Sequence, residues 1–234
     1  MAKRECHVLI SGRRKQALET VAATSDKITI CSGDITDPAH RTELAAQFGT
    51  LPGPRAILHG AGYFQTGLLD ILSSDDWQRS FETNVTVRWH LSNTCAPHLD
   101  GGRILFIGSD AGKNPRMGAA AYSVAQSASE TLRRALQAEW KHRSVAITGF
   151  KPGLVDTEMV RGFLSKTLEE FPSRADYESY VVNGELTAPE TIAKFAAWLL
   201  LDVDAGRFAG TEWDIRDSAH HTEWLEGPLF QKTT

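Results

Sequence analysis

The chain has 234 residues, 41% of them hydrophobic and 23% charged, with a formal net charge of −4. Such a chain can bury roughly 70% of the surface it exposes when unfolded, so it needs no disulfide or metal staple. Basic residues are scattered rather than clustered, which argues against a nucleic-acid partner. The longest apolar run, 195–201, is far too short to span a membrane, and the first seven residues lack a signal-peptide core. Cys6, Cys31 and Cys95 lie far apart in no ligand spacing, as expected of reduced thiols in a cytoplasmic protein.

In chain order, residues 7–10 read as a buried strand, followed by a turn at Gly12-Arg13-Arg14 and a helix through 16–21. A second strand covers 27–31. Asp37 is placed to cap the next helix, with Pro38 at its first position. A third strand spans 55–58, a helix 75–91, and a fourth strand 103–107. A long helix is predicted over 117–141, then a strand over 145–150. Residues 158–187 break the rhythm: polar and aromatic, with Phe163, Phe171, Tyr177 and Tyr180, they read as a lid or substrate lobe. A helix over 189–201 and a strand over 211–215 follow. Short apolar strands alternating with helices predict one α/β domain, residues 1–234, around a doubly wound parallel sheet of about six strands.

Ligands of such sheets bind outside the carboxyl ends of the strands. Three of those ends carry unusual residues: His59-Gly60-Ala61-Gly62, Gly108-Ser109-Asp110, and Lys151 through Thr157. Tyr122 starts the long helix, where its phenol can face Ser109. Each signal is weak alone, since glycine-ended strands are common turns. Their co-occurrence at one sheet edge is the stronger observation.

With these residues in place, the chain resembles the short-chain dehydrogenase/reductase family over nearly its whole length. Gly33-Asp34-Ile35-Thr36-Asp37 is similar to the family's segment beside the adenine ring, and His59-Gly60-Ala61-Gly62 to its Asn-Asn-Ala-Gly motif. Asn84 sits where the family has a helix-embedded Asn. Ser109 and Tyr122 have the family's spacing, and Lys151-Pro152-Gly153-Leu154-Val155-Asp156-Thr157 resembles its Pro-Gly signature. The resemblance implies a Rossmann-like fold and hydride transfer between NADP(H) and a small carbonyl or alcohol. Tyr122 would be the acid/base, Ser109 would bind the substrate oxygen, and Asn84 would hold a relay water. Asp34 and Ile35 would flank the adenine; His59, Gly60, Ala61, Gly62, Pro152, Gly153 and Val155 would line the cofactor; Thr157 would meet the carboxamide. Arg13 matches the position that favours the 2′-phosphate of NADP, a contact a planar guanidinium suits. A solvated turn arginine is the equal alternative. A homodimer or homotetramer is also implied.

Two departures stand out. The family opens with a strand, a glycine-rich turn and a helix that binds pyrophosphate at its N-terminus. No glycine precedes Gly12 here, so the first strand present matches the family's second and the first βα unit is read as absent. Two strand edges would then lack a partner between them. The family's Tyr-x-x-x-Lys is Tyr122-Ser123-Val124-Ala125-Gln126 here. Gln126 can bond a ribose hydroxyl but supplies no charge to lower the tyrosine pKa. Losing a two-unit shift costs about 3 kcal/mol if tyrosinate reacts. Lys113 and Lys151 are the cations nearby in sequence.

Three functions therefore compete: an NADP-linked oxidoreductase of impaired activity, a non-catalytic partner subunit or regulator, and a non-redox dehydratase or isomerase using Tyr122 and Ser109 for proton transfer. No metal is expected, because His220 and His221 would point to opposite faces of a strand. His59 reads as a hydrogen-bonded strand-end residue rather than an acid/base. The aromatics of 163–180 either line a hydrophobic pocket or anchor the lobe, and their position after the Pro152-Gly153 loop favours the pocket.

Overall fold

The computed structural model describes residues 1–230. Strands β1 (Val8–Gly12) and β2 (Ile28–Ser32) form one parallel ladder, with Ser11 opposite Cys31, and helix α1 (Lys15–Ala22) connects them. Strands β3 (Ala56–His59), β4 (Arg103–Ile107), β5 (Ala146–Lys151) and β6 (Trp213–Asp214) form a second, in that order and all parallel. The single expected sheet is thus two ladders that exchange no strand hydrogen bonds among the described residues.

What joins the ladders is the core beneath them. Helix α2 (Pro38–Thr50) starts where Asp37 accepts from the Ala39 amide at 2.9 Å, with Pro38 needing no donor at that turn. Its Leu44, Ala45 and Phe48 pack in one cluster with Cys31 of β2 and with Ile57, Ile104, Phe106 and Ile147 of the larger ladder. On β3 the exposed Ala56 and Leu58 alternate with the buried Ile57 and His59, whereas Ile104, Leu105 and Phe106 of β4 are all buried. A strand covered on both faces carries such a continuous apolar run.

One cover of β4 is the apolar helix α8 (Pro189–Leu201), buried from Phe195 through Leu200 and packed with Leu105, Phe150, Trp213 and Ile215. Helix α5 (Ala120–Glu139) is shorter than the predicted 117–141. Gly118 bends the chain before it at φ 81°, where a Cβ would also meet Phe171 and Pro172 at 3.0–3.1 Å. The expected helix over 75–91 is α3 (Ser74–Phe81) and α4 (Val87–Cys95), separated by a π-helical turn, Glu82–Thr86. Only Trp213–Asp214 of the strand predicted at 211–215 is extended. Residues 158–187 form a lobe of α6 (Glu158–Leu164) and α7 (Arg174–Val182). A short helix α9 (Ala205–Gly210) follows α8. Among the described residues no helix is long and apolar enough to cross a membrane.

Candidate active site

The carboxyl end of β4 delivers Gly108 and Ser109 to the rim, where Ser109 caps a short 3₁₀ turn by accepting from the Ala111 amide at 3.2 Å. The next long element is α5, whose first turn carries Tyr122. Its ring stands edge-on to Phe64, with centroids 5.0 Å apart. Burial pushes the Tyr122 phenol above the usual tyrosine range, while the Ser109 hydroxyl and the Arg88 guanidinium beside it pull the other way. The two residues paired by sequence spacing are therefore brought together.

Arg88 is the site residue that sequence reasoning missed. It lies on α4 and is 3% exposed. One of its terminal nitrogens donates to Ile107 O and to Ser129 Oγ, both at 3.0 Å, and the other to Ala61 O at 3.3 Å. Burial lowers its pKa to about 10, so it is charged at neutral pH. It lines a small cavity of about 110 Å³ with Ser109, Gln126, Lys113 and Lys151. Gln126, at the position of the family's lysine, is buried too, and among the described residues neither its Oε1 nor Arg88 Nε has a hydrogen-bond partner. Lys113 instead pairs with Glu212 at 3.4 Å, with most of its side chain in solvent. The signal available in the sequence was an arginine four residues after Asn84, one helical turn further into the site.

Other predicted residues are placed less directly. Asn84 is fully buried in the π-helical turn; its Nδ2 donates to Tyr63 O at 2.8 Å and Ser80 O at 2.9 Å, and its Oδ1 accepts from Tyr63 N at 3.1 Å. Its side chain clamps the loop after Gly62 and has no amide proton left for a relay water. The His59 ring turns into the core, where its Nε2 meets Ser92 Oγ at 2.9 Å, and burial with the nearby Arg88 cation lowers its pKa to about 3. Only its backbone faces the rim. Gly60, Ala61 and Gly62 are exposed there.

Thr157 caps α6, accepting from Val160 N at 3.4 Å, and the strand-end loop is held by a bridge between Val155 and Thr187. Gly153 makes that loop's turn at φ 67°, beside Pro152. At the other ladder's rim, Arg13 is exposed and close enough to Asp34 to help depress its carboxyl, behind the larger effect of the Thr36 amide and hydroxyl. The Ile35 side chain packs on the core rather than standing free to flank a ring.

The aromatics of the lobe divide between the two expected roles: Phe163 and Phe171 are buried with Ala119 and Val160 against the partly buried Phe64 and anchor the lobe to the body, while Tyr177 and Tyr180 line a cavity. The open cavity beside it, about 380 Å³, is polar: Arg116, Asp176, Tyr177, Ser179, Tyr180 and Glu185 line it. His220 and His221 lie in a 3₁₀ turn (Ser218–Glu223) instead of a strand, bonded to Asp214 O at 3.0 Å and Ile215 O at 2.7 Å.

A sequence model of the short chain dehydrogenase family matches residues 1–167. The chain belongs to that family. It is 30% identical over 155 residues to 2,3-dihydro-2,3-dihydroxybenzoate dehydrogenase of Escherichia coli, covering 63% of this chain and 62% of that protein. It is 32% identical over 165 residues to the cyclic-di-GMP-binding biofilm dispersal mediator protein of the same organism, covering 70% and 62%. The chain spans about three fifths of the length of these curated relatives. Its fold matches that of a protein from Beutenbergia cavernae, assigned as an NAD(P) dependent gluconate 5-dehydrogenase and solved with NADP at low occupancy. The TM-score is 0.74 at 22% identity, over 89% of this chain and 84% of that one.

The residues present fit a dinucleotide at its two ends. Arg88 Nε and Gln126 Oε1 are a buried donor and acceptor without partners among the described residues, and a sugar hydroxyl can satisfy both kinds of group. Arg13 at the β1 rim offers the guanidinium that a phosphate needs.

Proposed function

We propose that this chain carries an oxidoreductase site for a small carbonyl or alcohol substrate, linked to NADP(H). The observation that carries the reading is Tyr122 beside Ser109 at the β4 rim, with the buried Arg88 cation acting on the same phenol. Tyr122 Oη gives a proton to the substrate oxygen during reduction and takes it back during oxidation. Ser109 Oγ holds that oxygen in place. Gln126 and Arg88 hold the ribose, Arg13 the 2′-phosphate, and Thr157 the carboxamide edge. A nicotinamide, when bound, supplies or accepts the hydride.

In this reading Arg88 takes over part of the electrostatic work that the family's lysine does, from a different helix. It does so incompletely, because the phenol stays above its ordinary range. Proton transfer to the enzyme is therefore slow at neutral pH and faster in alkali.

Titrating the protein with NADPH and NADH, read through its 6 tryptophans, tests the cofactor. Tighter NADPH binding that weakens in Arg13→Ala is expected; a folded protein that binds neither at millimolar concentration overturns the reading. Given binding, Tyr122→Phe lowers carbonyl turnover about 10²–10⁴-fold. Arg88→Met moves the rise of activity with pH to higher pH. Turnover of substrate by the same residues with no nicotinamide present would favour a dehydratase or isomerase instead.

A further inference from the structure

Away from the candidate active site, the smaller ladder and α2 assemble a second cluster of chemically capable side chains. Parallel pairing sets Ser11 of β1 opposite Cys31 of β2, and residues opposite one another in register share a sheet face. Helix α2 lies over that face, bringing His40 down onto both: His40 Nε2 meets Ser11 Oγ at 2.8 Å and His40 Nδ1 meets Cys31 Sγ at 3.8 Å. Glu43 follows three residues later on the same side of α2. One ligand atom each of Cys31, His40 and Glu43 lies within 4.8 Å of the others.

The packing is specific. The His40 ring lies against Gly33 so closely that a Cβ there would overlap it. Cys31 and His40 are buried, at 3% and 6% exposure, while Glu43 is exposed and held by Gln47 Nε2 at 3.1 Å. The site is thus open to solvent through its carboxylate.

We propose that Cys31, His40 and Glu43 bind one Zn²⁺ ion, with the fourth position open to water. Bond lengths of about 2.3 Å to sulfur and 2.0–2.1 Å to nitrogen in a tetrahedral site put those two atoms about 3.6 Å apart, close to the 3.8 Å seen. The exposed Glu43 side chain needs only a rotamer adjustment to close the third bond. Ser11 completes the arrangement. As the acceptor of the Nε2 proton it fixes the tautomer that turns the Nδ1 lone pair toward the metal, the part an outer-shell partner plays in zinc sites. The donor set of thiolate, imidazole and carboxylate suits Zn²⁺ rather than Mg²⁺ or Ca²⁺, which take oxygen ligands. Binding releases the Cys31 thiol proton to solvent. Nothing in this site depends on the oxidoreductase reading.

Cobalt titration of the chelator-stripped protein tests it. One equivalent of Co²⁺ is expected to raise the visible bands of a tetrahedral centre and a thiolate-to-metal charge-transfer band, both bleached by Zn²⁺. Cys31→Ser removes the charge-transfer band. Ser11→Ala weakens binding about 10-fold or more through the lost outer-shell bond. Glu43→Gln, at an exposed position that leaves the fold intact, weakens it at least as much. A folded wild-type protein with no cobalt spectrum at millimolar metal overturns the proposal. So does a charge-transfer band that survives Cys31→Ser, or an affinity unchanged by Glu43→Gln.

Discussion

The two ladders are built from strands of similar length yet hold their places differently. Every central residue of β4 is buried, with Ile104 and Leu105 at 0% exposure, whereas no residue of β1 or α1 is buried. β4 has a strand on each side and lies in two core clusters, one under α2 and α4 and one under α8. Among the described residues β1 has one strand neighbour and contributes only the partly buried Leu9 to a core. A two-stranded ladder is marginal by itself, and here its hold on the body runs through α2, Cys31 and Leu9. The proposed active site straddles this difference. Ser109, Tyr122 and Arg88 stand on the tightly packed part, where geometry is fixed. Arg13 and Asp34 stand on the less deeply buried part, where both side chains are exposed to an arriving ligand.

The largest expected effect sharpens that contrast. Leu105→Ala empties a fully enclosed position of β4 and should cost about 2–5 kcal/mol in urea unfolding. Leu9→Ala on β1 leaves a partly solvated gap and should cost less than half as much. Equal costs would mean that the smaller ladder is as firmly packed as the larger, and the comparison would fail.

Acid should act first on the larger ladder, through His59. Its folded pKa of about 3 lies below the ordinary value of 6.5, because burial and Arg88 disfavour the imidazolium. The unfolded chain therefore binds a proton more readily between those two values. The stabilisation from this group is complete above pH 6.5 and declines as pH falls toward 3, by about 2 kcal/mol at pH 5. His220, whose pKa burial also lowers, adds in the same direction. Replacing His59 by Gln should flatten the stability curve between pH 7 and 5; an unchanged slope would show that the ring already reaches solvent.

How far the sequence discloses this molecule follows the same division. The positions and order of the strands are readable because each is an apolar run bounded by turn residues, and the Ser109–Tyr122 pair because family spacing fixes it. Arg88 carries only the faint signal of its place one turn after Asn84, since an arginine on a helix is normally a solvated residue and only the tertiary packing of α4 against the rim buries it. The clamp role of Asn84 depends on a π-helical turn that no periodicity announces. The cluster of Ser11, Cys31 and His40 needs the β1–β2 register and the path of α2 together, while in sequence those residues show no ligand spacing. The aromatic residues of the lobe were visible, but only packing distinguishes an anchor from a pocket.

The smallest effect examines the joint between the two parts. Asp37 caps α2 through the Ala39 amide, and α2 carries Leu44 and Phe48 into the shared cluster and His40 onto the smaller ladder. Asp37→Ala removes one satisfied backbone donor at an exposed position, for about 1 kcal/mol of global stability. Its local consequence should be greater than its global one. Fraying the first turn of α2 loosens His40 from Ser11 and Cys31, so amide hydrogen exchange should quicken in β1 and β2. The amides of β4, which open only with the whole core, should speed up no more than the change in global stability requires. A uniform acceleration across both ladders would mean that they unfold as one cooperative unit, with α2 as rigid as the strands it joins.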